Sequence, residues 1–220
     1  MGSQRFFAKG KSFNSVEKTS TYRARILMAE SPETKPEILS RLAEDGSEEV
    51  KTEVAGNLKT PAEALNRLSK DKSMWVKVRL AGNIKLPLEA IIRLSKDTSA
   101  WVRGNIAVNP STPVEILSQM LSDASVGVID SLASNPNTPY EMLMSDEVLH
   151  KIGTIGASNI FKREEFKSEA AVKIIYGDYP EHVIRAVAES LPEDEVVKTY
   201  TVLKYGKNKP VKLDYDRFAV

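Results

Sequence analysis

The chain has 220 residues, of which 41% are hydrophobic and 28% charged, the composition of a soluble globular protein. It contains no cysteine and two histidines, which excludes disulfides, thiolate metal sites and iron–sulfur clusters and argues against a histidine-rich metal site. No apolar run approaches the roughly 18 residues that a membrane helix needs. We therefore expect no membrane insertion, and a location in the cytoplasm or in a particle assembled inside the cell.

The net charge of +1 is unevenly distributed along the chain. Residues 1–29 carry six lysines and arginines against one glutamate, and residues 200–220 carry five against two aspartates. The region between them is therefore acidic. An acidic body with two basic ends is more typical of a partner-binding protein than of an enzyme.

The first segment, residues 1–20, shows little hydrophobic periodicity, and we interpret it as an extended N-terminal arm. Its basic and aromatic residues are interleaved: Arg5, Phe6, Phe7, Lys9, Lys11 and Phe13. Such a mixture could bind single-stranded nucleic acid by charge and stacking, or dock on an acidic and apolar protein groove. It could equally be a disordered tail, and the sequence leaves the three alternatives open.

From residue 31 onward a pattern recurs every 26 residues, after a half repeat over residues 21–30. Five residues stand in register at the start of the copies: Ser31, Asn57, Asn83, Asn109 and Asn135. The asparagines suit a turn, because their side chains can bond nearby backbone. A Thr-Pro-x-Glu motif follows in most copies and predicts a capping box with proline at the first position of a short helix.

Each copy then continues with Asp-x-Ser, as at Asp71 and Ser73, which predicts a turn whose serine caps a second helix. The apolar residues of both helices fall on one face only. Two such helices cannot bury their apolar faces alone, whereas stacked copies can form a continuous core. The repeat therefore predicts an all-α fold, an α-solenoid of paired short helices, with about five repeats and degenerate ends.

The repeats are expected over residues 31–158, although the register slips from residue 145. Asn159 arrives after 24 residues instead of 26, and Gly153 and Gly156 stand where a helix should be robust. We predict a degenerate repeat and a C-terminal cap over residues 159–205. The tail over residues 206–220 alternates apolar and charged residues, which indicates a short strand or an extended docked peptide.

The motifs N-P-x-T-P-x-E-x-L, D-x-S-x-W-V-R and V-A-x-N resemble those of the leucine-rich repeat variant family, a relative of HEAT-like solenoids. The resemblance is close over residues 31–134, good as far as residue 144 and faint beyond. It implies a right-handed superhelix of paired short helices. The cysteine-ligated iron–sulfur module of one family member cannot be carried over, because this chain has no cysteine.

Two columns of the repeat are candidates for partner binding. Trp75 and Trp101 share a column and could be exposed anchors, although tryptophan in this column of the resembling family commonly packs between repeats. A basic ladder lies beside them, formed by Lys51, Lys77, Arg103 and the neighbouring Arg79. The ladder could bind phosphate or an acidic peptide, or it could be a solvated helix face near the aspartates.

A further set of arginines, exemplified by Arg67, lies four residues after a glutamate, which predicts stabilising pairs within the first helices. No phosphate-binding loop, nucleophile motif or His/Asp cluster appears, so we expect no enzymatic activity and no cofactor.

The preferred hypothesis is a non-enzymatic scaffold or assembly component that binds a protein partner through one solenoid face and its terminal arms. The alternative is a nucleic-acid-binding HEAT-like solenoid that uses the Lys51, Lys77 and Arg103 ladder together with the N-terminal arm. The acidic body argues against this alternative, because neutralisation of phosphates dominates such affinity.

Overall fold

A computed structural model describes residues 21–163, 166, 170–171, 174–175 and 177–191. These residues form α-helices joined by turns, without a strand among them, so the predicted all-α class is confirmed for this part of the chain. The predicted N-terminal arm, the end of the C-terminal cap and the tail over residues 206–220 lie outside the described residues. None of the helices described combines the length and hydrophobicity that crossing a bilayer would require.

The chain divides into two compact units, Met1–Ala90 and Ile91–Val220. The helices that lie in the first unit are α1 (Tyr22–Glu30), α2 (Pro36–Leu42), α3 (Glu48–Gly56), α4 (Ala62–Leu68) and α5 (Met74–Ala81). Helix α6 (Leu88–Leu94) contains the division. Those that follow it in the second unit are α7 (Ala100–Val108), α8 (Val114–Met120), α9 (Val126–Ser134), α10 (Tyr140–Leu143), α11 (Asp146–Lys151), α12 (Thr154–Phe161) and α13 (Glu181–Ser190).

The second helix of each repeat carries most of the packing. In the first unit, α3 contacts both α1 and α5. In the second unit, α9 contacts both α7 and α12, and α12 also contacts α13. The apolar stripe that the periodicity predicts on these helices is buried; in α3 the side chains of Val50, Val54 and Ala55 have no exposed surface. Burying a valine or leucine side chain stabilises a fold by roughly 1.5–3 kcal/mol. The core of each unit therefore lies along its second helices.

The asparagine that opens a repeat also joins it to the repeat before. Asn57 donates from Nδ2 to the carbonyls of Ala29 and Ser31, at 2.7 and 3.0 Å. Asn83 and Asn135 make the equivalent pair of bonds to carbonyls 28 and 26 residues earlier, at 2.7 to 3.4 Å. In all three, Oδ1 accepts the backbone N–H two residues ahead, at 2.9 Å. The predicted bond to nearby backbone is confirmed, and the bonds between repeats add to it.

The threonine of the Thr-Pro-x-Glu motif does not cap a helix. Helix α4 has Pro61 as its N-cap, one residue before the first helical position, and no side chain caps it. The Thr60 hydroxyl instead donates to the carbonyl of Val54 at 2.6 Å, in the last turn of the preceding helix. Thr34 and Thr112 make the same bond at the same distance. The capping-box prediction is wrong because the hydroxyl satisfies a carbonyl that the end of the previous helix leaves unpaired.

The Asp-x-Ser turn has the predicted geometry. Oδ1 of Asp71 accepts the Ser73 N–H at 2.8 Å, and Oγ of Ser73 accepts the first N–H groups of α5. Ser47 caps α3 in the same way, whereas Ser99 and Ser125 occupy the cap position without a side-chain hydrogen bond. The turn leaves the second oxygen of the aspartate available to another partner.

An arginine replaces the asparagine where the 26-residue register slips. Arg163 donates from Nη2 to the carbonyls of Ala133 and Asn135, at 2.9 and 2.8 Å. An asparagine placed 26 residues after Asn135 would use the same two acceptors. Asn159, which sequence spacing suggests for this position, bonds the Ser134 hydroxyl instead, at 2.8 Å. The longer guanidinium therefore maintains the connection across the slip.

Candidate interaction surface

Two members of the predicted basic ladder are engaged in ion pairs between neighbouring repeats. Lys51 Nζ contacts Asp71 Oδ2, and 20% and 14% of the two side chains remain exposed. Arg103 holds Asp123 at two points, Nε to Oδ2 at 2.7 Å and Nη2 to Oδ1 at 2.9 Å. In both pairs the aspartate belongs to the Asp-x-Ser turn of the following repeat, 20 residues after the cation. These cations therefore act first as connections between repeats.

The pairing changes the pKa of the aspartates. Hydrogen bonds from Arg103 hold the pKa of Asp123 below its ordinary value, against the opposing effect of burial. Burial by itself would raise the pKa of Asp71, but hydrogen bonds from Lys51 and from the Ser73 N–H lower it overall. Both carboxylates are charged at neutral pH. A phosphate would have to displace a charged and hydrogen-bonded carboxylate to reach either cation.

Arg25 is a further member of the ladder that the sequence prediction missed. Its Nε lies 2.7 Å from Asp45 Oδ2, again across 20 residues. The constant spacing from cation to aspartate was the signal that could have identified it. Of the other two predicted members, Lys77 is half-buried and Arg79 is more than half exposed.

Arg79 lies over the end of the neighbouring helix α3. A Cβ added at Gly56 would come within 2.7 Å of the Arg79 Cζ, so the glycine leaves the space that the guanidinium occupies. The Arg79 Nη2 is 3.8 Å from Glu53 Oε2, a long and exposed pair. Of the ladder residues described in the first unit, Arg79 thus presents the most accessible charge.

Both candidate tryptophans are exposed. Trp75 is the second residue of α5 and Trp101 the second residue of α7, with 61% and 74% of their surfaces accessible. The expectation that tryptophan in this column packs between repeats is therefore wrong for both. Large aromatic side chains on a surface are the residues most often found at the centre of protein interfaces.

In the second unit, Trp101 borders an open groove with a volume of about 490 Å³. The groove is lined by residues of α7, α9 and α12, and we call it the Trp101 groove. Its surface is mainly apolar, and Val108 and Ile155 contribute to it with 43% and 69% of their surfaces exposed. Gly127, 26 residues after Trp101, also lines it. Pockets of roughly 300–1,000 Å³ are typical of ligand sites, so the groove is large enough to hold part of a binding partner.

Among the described residues that line the Trp101 groove, Asp130 has the single charged side chain. Its Oδ1 accepts the Gly153 N–H at 2.7 Å. No residue in the described part of the chain forms an ion pair with this carboxylate. The described surface of the groove therefore combines apolar side chains with one carboxylate that has no ion-pair partner among the described residues.

A second hollow, also of about 490 Å³, lies between α12 and α13. Three of its polar residues are already bonded: Arg185 is 3.4 Å from Glu181, and Nε2 of His182 is 2.7 Å from the carbonyl of Ile152. Among the residues that the structure describes, no group of three or more histidines, aspartates and glutamates could hold a metal ion.

Comparison with protein-family models, with curated proteins and with solved structures finds no match to this chain.

Proposed function

We propose that this protein is a non-enzymatic interaction scaffold of the leucine-rich repeat variant type. The proposal includes a right-handed α-solenoid of about five repeats, a protein partner bound along the second helices, and terminal arms that help to anchor the assembly. The observation that carries it is the exposed Trp101 at the edge of an apolar groove. A cytoplasmic location belongs to the same proposal.

The regular columns of the repeat support a scaffold because their polar residues are already used within the fold. The asparagines connect repeats, the threonines satisfy helix ends, and the aspartates hold both the turn and a cation. Few of these groups remain for catalysis. The exposed apolar surface around Trp101, by contrast, has no role in holding the repeats together. Contiguous exposed apolar surface commonly marks an interaction site.

The nucleic-acid alternative is less well supported. Among the ladder residues that would supply its phosphate contacts, Lys51 and Arg103 are held by aspartates and Arg79 lies 3.8 Å from Glu53. The charge that the described residues contribute to the Trp101 groove, that of Asp130, is negative, which opposes a polyanion. We accordingly favour a protein partner.

Capture from the native host tests the proposal. Immobilised wild-type protein is compared with Trp75→Ala, with Trp101→Ala and with the control Leu58→Ala, which removes an exposed apolar side chain from a turn. We expect a defined set of proteins to bind wild type and Leu58→Ala equally and to be depleted with Trp101→Ala. Equal capture by all four proteins would contradict the proposal. Retention of mixed DNA or RNA that weakens steeply with salt would favour the alternative.

A further inference from the structure

We propose that the Trp101 groove binds a segment of a partner protein that presents an aromatic side chain next to a lysine or arginine. This inference deepens the proposed function and rests on it. It follows from three features of the groove: an open position at Gly127, the exposed apolar walls, and the Asp130 carboxylate, which forms no ion pair with any described residue.

The open position in the groove is at Gly127, where the chain has no side chain. Gly127 lies in the column of Trp75 and Trp101, on α9, the helix that contacts both α7 and α12. A Cβ added there would come no closer than 3.8 Å to the Ser125 Oγ, so packing does not require a glycine. Glycine is also among the poorest residues in a helix. Its effect here is to leave the space beside Trp101 empty.

The apolar walls frame that space. Trp101 stands on α7 and Ile155 on α12, and both are mostly exposed. An aromatic side chain entering beside Gly127 would cover apolar surface on both residues, and the indole face of Trp101 could also take a cation. Burying this surface is the main source of affinity that the groove offers.

The carboxylate selects the charge of the partner. Asp130 is held by the Gly153 N–H on Oδ1, and Oδ2 accepts no hydrogen bond from a described residue. The glycines at 153 and 156 make this position possible, because a Cβ at Gly153 would come within 2.6 Å of Oδ2 and one at Gly156 would press on Oδ1. A fixed carboxylate beside apolar surface attracts a cation more strongly than one in open water. The partner segment should therefore carry lysine or arginine beside its aromatic residue.

The experiment uses two synthetic peptides with blocked ends, SGKFFRSG and its charge-reversed form SGEFFESG. Binding is followed by calorimetry and by Trp101 fluorescence in the full chain carrying Trp75→Phe, which leaves Trp101 as its single tryptophan. We expect the basic peptide to bind and to shift the Trp101 emission, and the acidic peptide to bind at least tenfold more weakly. Failure of the basic peptide to bind, or equal binding of the two, would overturn the proposal.

Two variants locate the binding site. Gly127→Leu fills the open position and should weaken binding at least tenfold, whereas Gly46→Leu places the same side chain in open space of the other unit and should change nothing. Asp130→Asn keeps an acceptor for the Gly153 N–H while removing the charge. This variant should bind the basic peptide more weakly and the acidic peptide more tightly than wild type does. Circular dichroism confirms that each variant is folded. Unchanged affinity in folded Gly127→Leu would disprove the site.

The two proposals fail in different ways. If host proteins depend on Trp101 in the capture experiment while neither peptide binds, the scaffold stands and the chemistry assigned to the groove is wrong. If the basic peptide binds through Gly127 and Asp130 but no host protein depends on Trp101, the groove chemistry stands and the scaffold function is contradicted.

Discussion

Arg103 and Asp123 form a two-point ion pair that joins consecutive repeats of the second unit, with N–O distances of 2.7 and 2.9 Å. The same arginine donates from Nη1 to the carbonyls of Asp97 and Thr98, at 2.8 and 3.1 Å. Oδ1 of Asp123 also accepts the Ser125 N–H, at 2.8 Å. One pair therefore ties together the turn of its own repeat and the turn of the next.

Replacing this arginine should destabilise the fold. Arg103→Gln removes charge-assisted bonds from a pair of which 18% and 9% remain exposed, and we expect a loss of about 1.5–3 kcal/mol in the free energy of unfolding. Arg185→Gln is the control, because its pair with Glu181 is exposed on both sides and such pairs contribute roughly 0.5 kcal/mol or less. Urea unfolding measures the loss of free energy in both variants, provided that the m value is unchanged. An equal loss in the two variants would show that the Arg103–Asp123 pair stabilises the fold no more than an exposed pair does.

The Arg103–Asp123 pair should also make the free energy of unfolding depend on pH in the acidic range. The pKa of Asp123 is lowered in the fold, so the stability it contributes is present above its unfolded value of about 3.9 and is lost as the pH falls through the folded value. The difference in unfolding free energy between wild type and Asp123→Asn should therefore shrink as the pH is lowered from 7 to 3. Urea titrations at several pH values measure this difference. A constant difference would mean that the pair contributes nothing through charge.

Sequence periodicity predicts the columns whose role is local. The turn made by Asp71 and Ser73 and the apolar stripe of α3 depend on residues a few positions apart, and spacing is sufficient to identify them. Connections between repeats are harder to predict, because they depend on which carbonyl or carboxylate a side chain reaches in space. Arg67, for example, is expected to pair with Glu63 on its own helix, but it lies 3.4 Å from Glu44 of the preceding repeat.

The candidate site shows the same limit. Membership of a column does not determine exposure, so the sequence could not decide between buried and exposed positions for Trp101. The Trp101 groove depends on the absence of a side chain at Gly127, on the position of Ile155 on α12, and on a carboxylate held by Gly153. Each of these requires the packed helices. Arg163 illustrates the point most directly, because no spacing rule predicts that it would reach the acceptors of an absent asparagine.

Removing a connecting asparagine should cost more than removing an exposed one. Asn135 is fully buried and makes two bonds through Nδ2 and one through Oδ1. Asn135→Ala leaves backbone groups unpaired, and we expect a loss of about 2–4 kcal/mol in unfolding free energy. Asn137→Ala is the matched control, since this exposed residue makes one side-chain bond, to the carbonyl of Pro110. A comparable loss in both variants would contradict the connecting role of Asn135.

Two glycines of the second unit should respond to alanine in opposite ways. Gly127 is an exposed helical residue with open space around it, so Gly127→Ala should stabilise the protein by about 0.5–1 kcal/mol. Gly156 is buried on α12, where a Cβ would press on Asp130 and on the Ile152 side chain. Gly156→Ala should therefore destabilise it, by roughly 1–3 kcal/mol. Thermal and urea unfolding compare the two, and a gain in stability for Gly156→Ala would refute the close packing around Asp130.

Protonation of His150 should strengthen the link between α11 and the segment before α13. Its Nδ1 lies 2.7 Å from the carbonyl of Asp146 and its Nε2 lies 2.8 Å from that of Asp178. Carbonyls only accept, so both bonds form when both ring nitrogens carry a proton.

These two bonds, of which that to Asp146 has the larger effect, raise the pKa of His150 above its ordinary value of 6.5, and the negative charges of Asp146 and Asp178 act in the same direction. The stability from this link is therefore full below the unfolded pKa and is lost as the pH rises through the folded one. In a His182→Gln background His150 is the single histidine, so its imidazole NMR signals can be followed directly. The titration midpoint should lie above 6.5. A midpoint at or below 6.5 would show that the two carbonyls do not hold the charged ring.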